Sequence, residues 1–505
     1  MGQVRLLWRG VVIVAAALLA AATPGSAVAN EVANEGVDQA AVDRLVTEFA
    51  DGAAYPGVAV AITKGDRVVY VAGHGHDSSG QPVTASTPMP IASVSKSFTA
   101  LAVMQLVEAG KVTLDKPLRD YVPDFQTVDS QGAEITVREL LNQTSGITDR
   151  TLPEKSLPQP DSLAGAVVRA RQATLSVAPG TKHNYTNTNY HLAARLVEVV
   201  SGEPFADYMR RHVFEPAGML ATTTIDVTPH DVPGTVAKGY IYAYGASIPA
   251  TEPERFVAGS DGVITTATDL ARWLVVQSND GRTAEGAPLV SPGGITAMHT
   301  ASDPRWTYGM GWDTSSDGRV RHSGVWFTYT AGALLLPSGY GIAVMTNSGY
   351  ALGNDGTGPL ENALATLLEG GNPSTGSPMR LTIDLVLAGL TLLSIALGTR
   401  NLRRRRVWAG RVGARPVWRL ALRLLPRFIP LVILTTLPGL GASLIGGGRD
   451  VTYFQLVYYS VALVLWLLVA SLMNIGVVVA RVLAVRELRR SSGTASQTPA
   501  PVAAG

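Results

Sequence analysis

Residues 91–100 read IASVSKSFTA, with Ser93 and Lys96 three apart at the head of an apolar run that continues to Glu108. The run predicts a helix, and Gly110 stands where a glycine would cap it. Side chains three apart on a helix share a face, so the Ser93 hydroxyl and the Lys96 amine would meet. A serine hydroxyl becomes a strong nucleophile only when a neighbouring base takes its proton, and a desolvated lysine can assist. Taken alone, the spacing fits a capping serine and a solvated lysine better than a catalytic pair, because short patterns recur by chance. What decides between the two is the rest of the chain.

The chain has 505 residues, a formal net charge of +2 and no cysteine. The length allows one large or two medium domains with further segments. The charge argues against a nucleic-acid partner, and the missing cysteine removes disulfides, thiol nucleophiles and cysteine-based metal sites. Residues 1–29 read as an export signal: Arg5 and Arg9, then an apolar stretch, then Ala27-Val28-Ala29 before Asn30. The alternative is an uncleaved anchor. Either delivers the following segment outside the cytoplasm.

Residues 38–51 read as an amphipathic helix, and GVAVAIT with RVVYVAG (residues 57–63 and 67–73) as a hairpin around Lys64-Gly65-Asp66. Helices are predicted over 162–172, 191–200 and 265–276, the last with Thr266 as N-cap and Asp269 in capping-box position. Residues 308–312 (YGMGW) open a strand-rich finish, with β-type runs at 332–337 and 341–346 and a closing helix over 359–369. Strands, then helices, then strands and a helix give an α+β layout with a helical insertion.

Residues 371–380 are a linker by composition. Beyond it, 381–399, 428–445 and 454–480 are each long and apolar enough to cross a bilayer. Arginine crowds the stretch 400–427 and follows the third span at Arg481, Arg486, Arg489 and Arg490, whereas only Arg449 lies between the second and third. The positive-inside rule therefore places 400–427 and the tail in the cytoplasm and the N-terminal domain outside. Arg411, Arg415, Arg419, Arg423 and Arg427 recur every fourth residue, which suits a helix lying on an anionic leaflet or a plain solvated loop equally well. Residues 491–505 read as disordered.

Two further motifs follow Ser93 and Lys96 in order: Tyr185-Thr186-Asn187 before a helix, and His322-Ser323-Gly324 in a strand-like segment. Together they resemble the serine β-lactamase and penicillin-binding-protein superfamily, in its class C-like branch. Blocks at 93–118, 135–147, 184–202 and 261–274 resemble family segments in order, and the likeness runs from about Val42 to Glu369. The resemblance implies an antiparallel sheet flanked by helices with an all-helical subdomain, here followed by three transmembrane helices. It also implies Ser93 as nucleophile, Lys96 as its electrostatic partner and Tyr185 as general base. A free tyrosine titrates at about 10, so that last role needs a cation to hold the phenolate. Asn187 would orient Lys96 and bind a substrate amide; the backbone N–H groups of Ser93 and Val325 would form the oxyanion hole, and Gly324 would let the strand approach substrate. His322 departs from the lysine version of the third motif, and a histidine is the weaker, pH-dependent cation.

The expected protein is an exported, membrane-tethered serine hydrolase, located at the cell membrane with its catalytic domain outside. It would work through a Ser93 acyl-enzyme on amides, esters or D-amino-acid peptides, with cell-wall (peptidoglycan-type) peptides favoured by location. A β-lactamase acting on β-lactams, an esterase, and a non-enzymatic β-lactam sensor are the alternatives, the sensor lacking a cytoplasmic output domain. No Gly-x-Ser-x-Gly elbow, His-Glu-x-x-His zinc motif or P-loop is present, so neither a metal nor a cofactor is expected. Partners are the substrate and the membrane, without nucleic acid; oligomeric state is left open.

Overall fold

Strand β1 (Gly57–Lys64) is buried along almost its whole length, which explains why GVAVAIT carries apolar residues on both faces. Val58, Val60 and Ile62 point into one core cluster and Ala59 and Ala61 into the other, as the two-residue period of a strand dictates. This is the centre of a computed structural model that describes residues 37–354, 356–444 and 449–495. The export-signal reading, residues 1–29, lies outside the described residues.

Five strands accompany β1: β2 (Arg67–Gly75), β3 (Asp313–Thr314), β4 (Val320–Val325), β5 (Thr330–Leu335) and β6 (Tyr340–Thr346). They form one antiparallel sheet in the order β3-β4-β5-β6-β1-β2. The first and last parts of the domain are thus joined through β1 and β6. Helix α1 (Gln39–Ala53) and the closing helix, Gly358–Leu368, cover one face, with Val42, Val46 and Phe49 packed against Val58, Val60, Leu360 and Leu364. Each such side chain stabilises the fold by about 1.5–3 kcal/mol.

The other face carries the helix predicted from residues 91–108. It runs as α2 (Ser95–Glu108), after a single 3-10 turn at Ala92–Val94. Apolar or small residues surround it on all sides because it is enclosed on all sides. Helices α3 (Leu163–Ala170) and α4 (Thr188–Ser201) belong to the helical subdomain, and α5 (Ala267–Ser278) lies between that subdomain and the sheet. Thr266 caps α5 through the Asp269 amide, as its sequence predicts. The α+β architecture expected from the sequence is the one observed. The closing helix is α6.

Residues 371–378 have no regular structure. Helix α7 (Arg380–Arg403) then begins the C-terminal region, followed by α8 (Arg405–Val412), α9 (Val417–Leu424), α10 (Ile429–Leu444), α11 (Tyr453–Tyr459) and α12 (Val461–Ala495). Three stretches among the described residues are long and apolar enough to cross a membrane: Arg380–Arg403, Val417–Gly441 and Val461–Ser491. The third differs from its sequence expectation. The stretch predicted as one span from 454 breaks at Ser460, whose extended backbone separates α11 from α12. Helix α12 continues to Ala495, so residues 491–495 are helical rather than disordered. The arginine stripe is likewise not one helix: Gly413 to Pro416 separates α8 from α9.

The C-terminal region is docked on the N-terminal domain rather than merely joined to it by the linker. The Arg380 guanidinium lies 3.8 Å from the Tyr242 ring centre, and Asp384 accepts the Tyr244 N–H at 2.7 Å. On another side, Asp450 accepts from the Ser156 amide and hydroxyl at 2.8 and 2.9 Å, and the Tyr458 hydroxyl donates to the Thr251 carbonyl at 2.8 Å. Phe327, just beyond β4, packs on the Tyr458 and Tyr459 rings. Because the chain has no cysteine, this docking has a clean test. Ser156→Cys with Asp450→Cys should close a disulfide under mild oxidation, read as a reduction-sensitive rise in the unfolding temperature; free thiols in the oxidised protein would refute the docked arrangement.

Candidate active site

Ala92, directly before the serine, has φ of +46°, a left-handed conformation that costs a non-glycine residue about 1–3 kcal/mol and is held only where its surroundings over-determine it. It turns the chain sharply from the short strand Met89–Pro90 into α2, and leaves Ser93 partly exposed at the head of the helix. The helix dipole there favours negative charge developing on a bound substrate.

One turn on, Lys96 is fully buried. Its amine donates to Ser93 Oγ at 2.9 Å, Asn187 Oδ1 at 2.9 Å and the Ser260 carbonyl at 3.0 Å. It also pairs with Asp261 Oδ1 at 3.2 Å. A buried ammonium without partners would be very costly, and this set supplies both hydrogen bonds and a counter-charge. The solvated-lysine reading of the Ser-x-x-Lys spacing is excluded by this burial.

Asp261 is the residue that sequence reasoning missed. Its Oδ1 accepts the Ser93 hydroxyl at 2.7 Å, and its Oδ2 accepts from Asn187 Nδ2 at 3.1 Å and pairs with Arg255 at 3.4 Å. Burial alone would push this carboxyl up, but Lys96, Arg255 and the Ser93 hydroxyl outweigh it and hold it well below the usual carboxylate range. The only trace in the sequence is a charged residue between Ser260 and Gly262, amid apolar neighbours at the start of the 261–274 block.

Asn187, at the start of α4, uses both ends of its amide: one on Lys96, the other on Asp261. Tyr185, two residues before, meets the network through its ring, whose centre lies 4.9 Å from the Lys96 amine. Among the described residues its hydroxyl makes no hydrogen bond, while the Ser93 proton points to Asp261. Tyr308, another residue without a role in the sequence reading, stands edge-on to Tyr185 with ring centres 5.8 Å apart.

On β4, His322 and Gly324 are buried while Ser323 is exposed and Val325 half-buried, the alternation of a strand edge. Strand β3 pairs only with Val320 and Arg321, so the outer edge of β4 from His322 to Val325 has no strand partner and faces the Ser93 turn. A Cβ on Gly324 would sit 2.1 Å from the Ile91 carbonyl and 3.1 Å from the Ser93 amide. Gly324→Ala should therefore displace the strand from Ser93, lowering the acylation rate about a hundredfold at a stability cost of about 1–3 kcal/mol. Stopped acylation assays and thermal unfolding would measure the two effects.

His322 is not a cation here. Burial, then the nearby Lys96 charge, push its imidazole down to about 3. Its Nδ1 lies 2.8 Å from the Ser323 carbonyl, which can only accept, so Nδ1 carries the proton and Nε2 accepts from the Tyr308 hydroxyl at 3.0 Å. Among the described residues no group of three or more acidic, histidine or cysteine side chains could hold a metal ion.

A half-exposed serine on a strained turn, hydrogen-bonded to a buried lysine beside an open strand edge, defines a serine acyl-transfer fold of the penicillin-binding type. The chain belongs to the Beta-lactamase family, whose model matches residues 42–367. It is 29% identical over 322 residues to Protein flp of Staphylococcus aureus (strain MW2), covering 61% of this chain and 63% of that protein. It is 30% identical over 318 residues to Penicillin-binding protein 4 of Amycolatopsis lactamdurans, covering 59% of this chain and 82% of that protein. The octameric penicillin-binding protein homologue from Pyrococcus abyssi superposes with a TM-score of 0.57 at 26% identity, over 70% of this chain and 82% of its own. The chain thus spans about 63% of the length of the Protein flp relatives.

Proposed function

We propose that this protein is a membrane-anchored serine hydrolase that forms an acyl-enzyme on Ser93, acting on amide or ester bonds and, by its place outside the cell, on D-amino-acid peptides of the cell wall. The observation that carries this reading is the buried Lys96 bonded at once to Ser93, Asn187 and Asp261. Ser93 Oγ attacks the carbonyl carbon as its proton passes to Tyr185, and the negative oxygen is met by the N–H groups of Ser93 and Val325. Collapse expels the amine or alcohol, which takes the proton back. Water then attacks the ester by the same route, restoring Ser93. Asp261 is the counter-charge that keeps Lys96 in place throughout; held so far below the usual range, it is too weak a base to take the serine proton itself.

Support for the orientation comes from the loop between the second and third apolar stretches. It docks on the catalytic domain, as it must if both lie on the same side of a membrane crossed three times. The uncharged His322 supports a second reading, ester hydrolysis, because it gives a substrate carboxylate no cation.

The test uses the full-length protein in detergent with three probes: a labelled penicillin, a peptide ending in D-alanyl-D-alanine, and an activated ester lacking a carboxylate. Acyl transfer to Ser93, seen by intact and peptide mass, with turnover of the peptide is the expected result. Preference for the ester alone would favour the second reading. No adduct with any probe would overturn both.

A further inference from the structure

The third motif leaves the site short of positive charge. His322 is uncharged, which leaves Lys96 as the cation that the three motifs contribute. Tyr185 nevertheless has two cations against its ring. One is Lys96; the other is Arg449, whose guanidinium carbon lies 4.8 Å from the ring centre. Arg449 comes from the loop between the second and third apolar stretches, far from the family motifs in sequence.

It is held there firmly. Arg449 Nε donates to Asp149 Oδ2 at 2.6 Å, and the Asp450 amide donates to the same oxygen at 3.0 Å. Asp149 is itself buried. Asp450 in turn is fixed by Ser156 and, through its carbonyl, by Lys155 at 3.0 Å. The guanidinium is thus tied by one edge to buried Asp149, has the buried Glu154 carboxylate 3.9 Å from another nitrogen, and presents itself to the tyrosine ring, where cation–π attraction strengthens as water is excluded.

We propose that Arg449 is a positioning residue of the active site, docked from the membrane region to hold the Tyr185 ring and to supply beside it the cation that His322 does not. The inference rests on the reading of Tyr185 as proton acceptor. Among the described residues, the titratable groups that face that ring are Lys96 from α2, Tyr190 from α4, Tyr308 and His322 from beside and on β4, and Arg449 from the loop. Burial pushes Tyr190 and Tyr308 well above the usual phenol value, so both stay neutral. That leaves Lys96 and Arg449 as the charges that can stabilise a phenolate. A consequence is that the catalytic domain is complete only when the membrane region is docked.

The experiment measures the acylation rate of full-length protein in detergent against pH, using whichever probe acylates the wild type fastest. Arg449→Gln should slow acylation about tenfold and move the ascending limb of the profile up by about one pH unit. Arg449→Lys should keep the limb within a few tenths, since it keeps the charge. An unmoved limb and wild-type rate in Arg449→Gln would overturn the proposal. So would equal slowing in both variants with the limb unmoved, which marks a purely structural role. If Arg449→Gln does not fold, Arg449→Met, which removes the charge but keeps an unbranched side chain on the ring, should give the same shift; an unmoved limb there is equally decisive. Tyr185→Phe separates the two layers: a wild-type profile in that variant removes the base assignment and this inference with it, whereas a lost limb there with no response to Arg449→Gln removes the inference alone.

Discussion

Ser93→Ala is expected to abolish the covalent adduct with every probe and to lower turnover by about 10⁶-fold, the loss seen when the nucleophile of a covalent mechanism is removed. The fold should survive, because the serine hydroxyl is only partly buried and Asp261 retains Lys96, Asn187 and Arg255 as partners. Unfolding temperature should therefore stay within a few degrees of wild type while intact mass shows no acyl increment. An adduct that persists in Ser93→Ala, mapped to another residue, would transfer the nucleophile assignment to it. Lysine alone gives no such separation. Its removal would leave Asp261 with only Arg255, at 3.4 Å, as counter-charge and confound rate with stability.

Asp261→Ala carries the second large effect, and it falls on stability as well as rate. Truncation leaves Lys96 and Arg255 buried with one shared counter-charge gone, a loss of about 3–5 kcal/mol for breaking a buried pair, and frees the Ser93 hydroxyl to rotate. Asp261→Asn keeps the shape and one acceptor, so it should fold better than the alanine variant and still acylate slowly. Comparison of the two unfolding curves separates charge from volume; equal stability of Asp261→Ala and wild type would contradict the network. The pH dependence follows from the direction of the shift. A carboxyl held below its unfolded value contributes stability that is fully present above about pH 4 and lost as pH falls through the folded value. His322 adds to the same trend. Its imidazole is pushed down to about 3, so its contribution is complete above its unfolded value of about 6.5 and fades between there and about 3. Acid should unfold this protein from the active site outward.

Much of the fold was legible because its signals are local. The hairpin of β1 and β2, helix α2 through Glu108, the Thr266 cap and the three apolar stretches each follow from periodicity, turn residues or length, which depend on neighbours in the chain. The exceptions are also physical. Ser460 breaks the third apolar run because a backbone break is invisible to hydropathy, and the arginine stripe is split at Gly413 to Pro416 although its four-residue period continues across the gap.

The sequence by itself determined the order and spacing of Ser93, Lys96, Tyr185, Asn187 and His322, and with them the family. It could not decide their charge states, since these depend on burial and on groups remote in the chain. Lys96 is inside rather than solvated, and His322 is neutral rather than a weak cation. Asp261 accepts the Ser93 hydroxyl, and Arg449, from the loop between the second and third apolar stretches, lies on the Tyr185 ring. Each of these is a contact between segments that share no local pattern, made where the low-dielectric interior turns a few ångströms of separation into a strong preference for one partner. Tertiary structure alone brings them together, and it converts three short motifs and a C-terminal loop into one electrostatic unit.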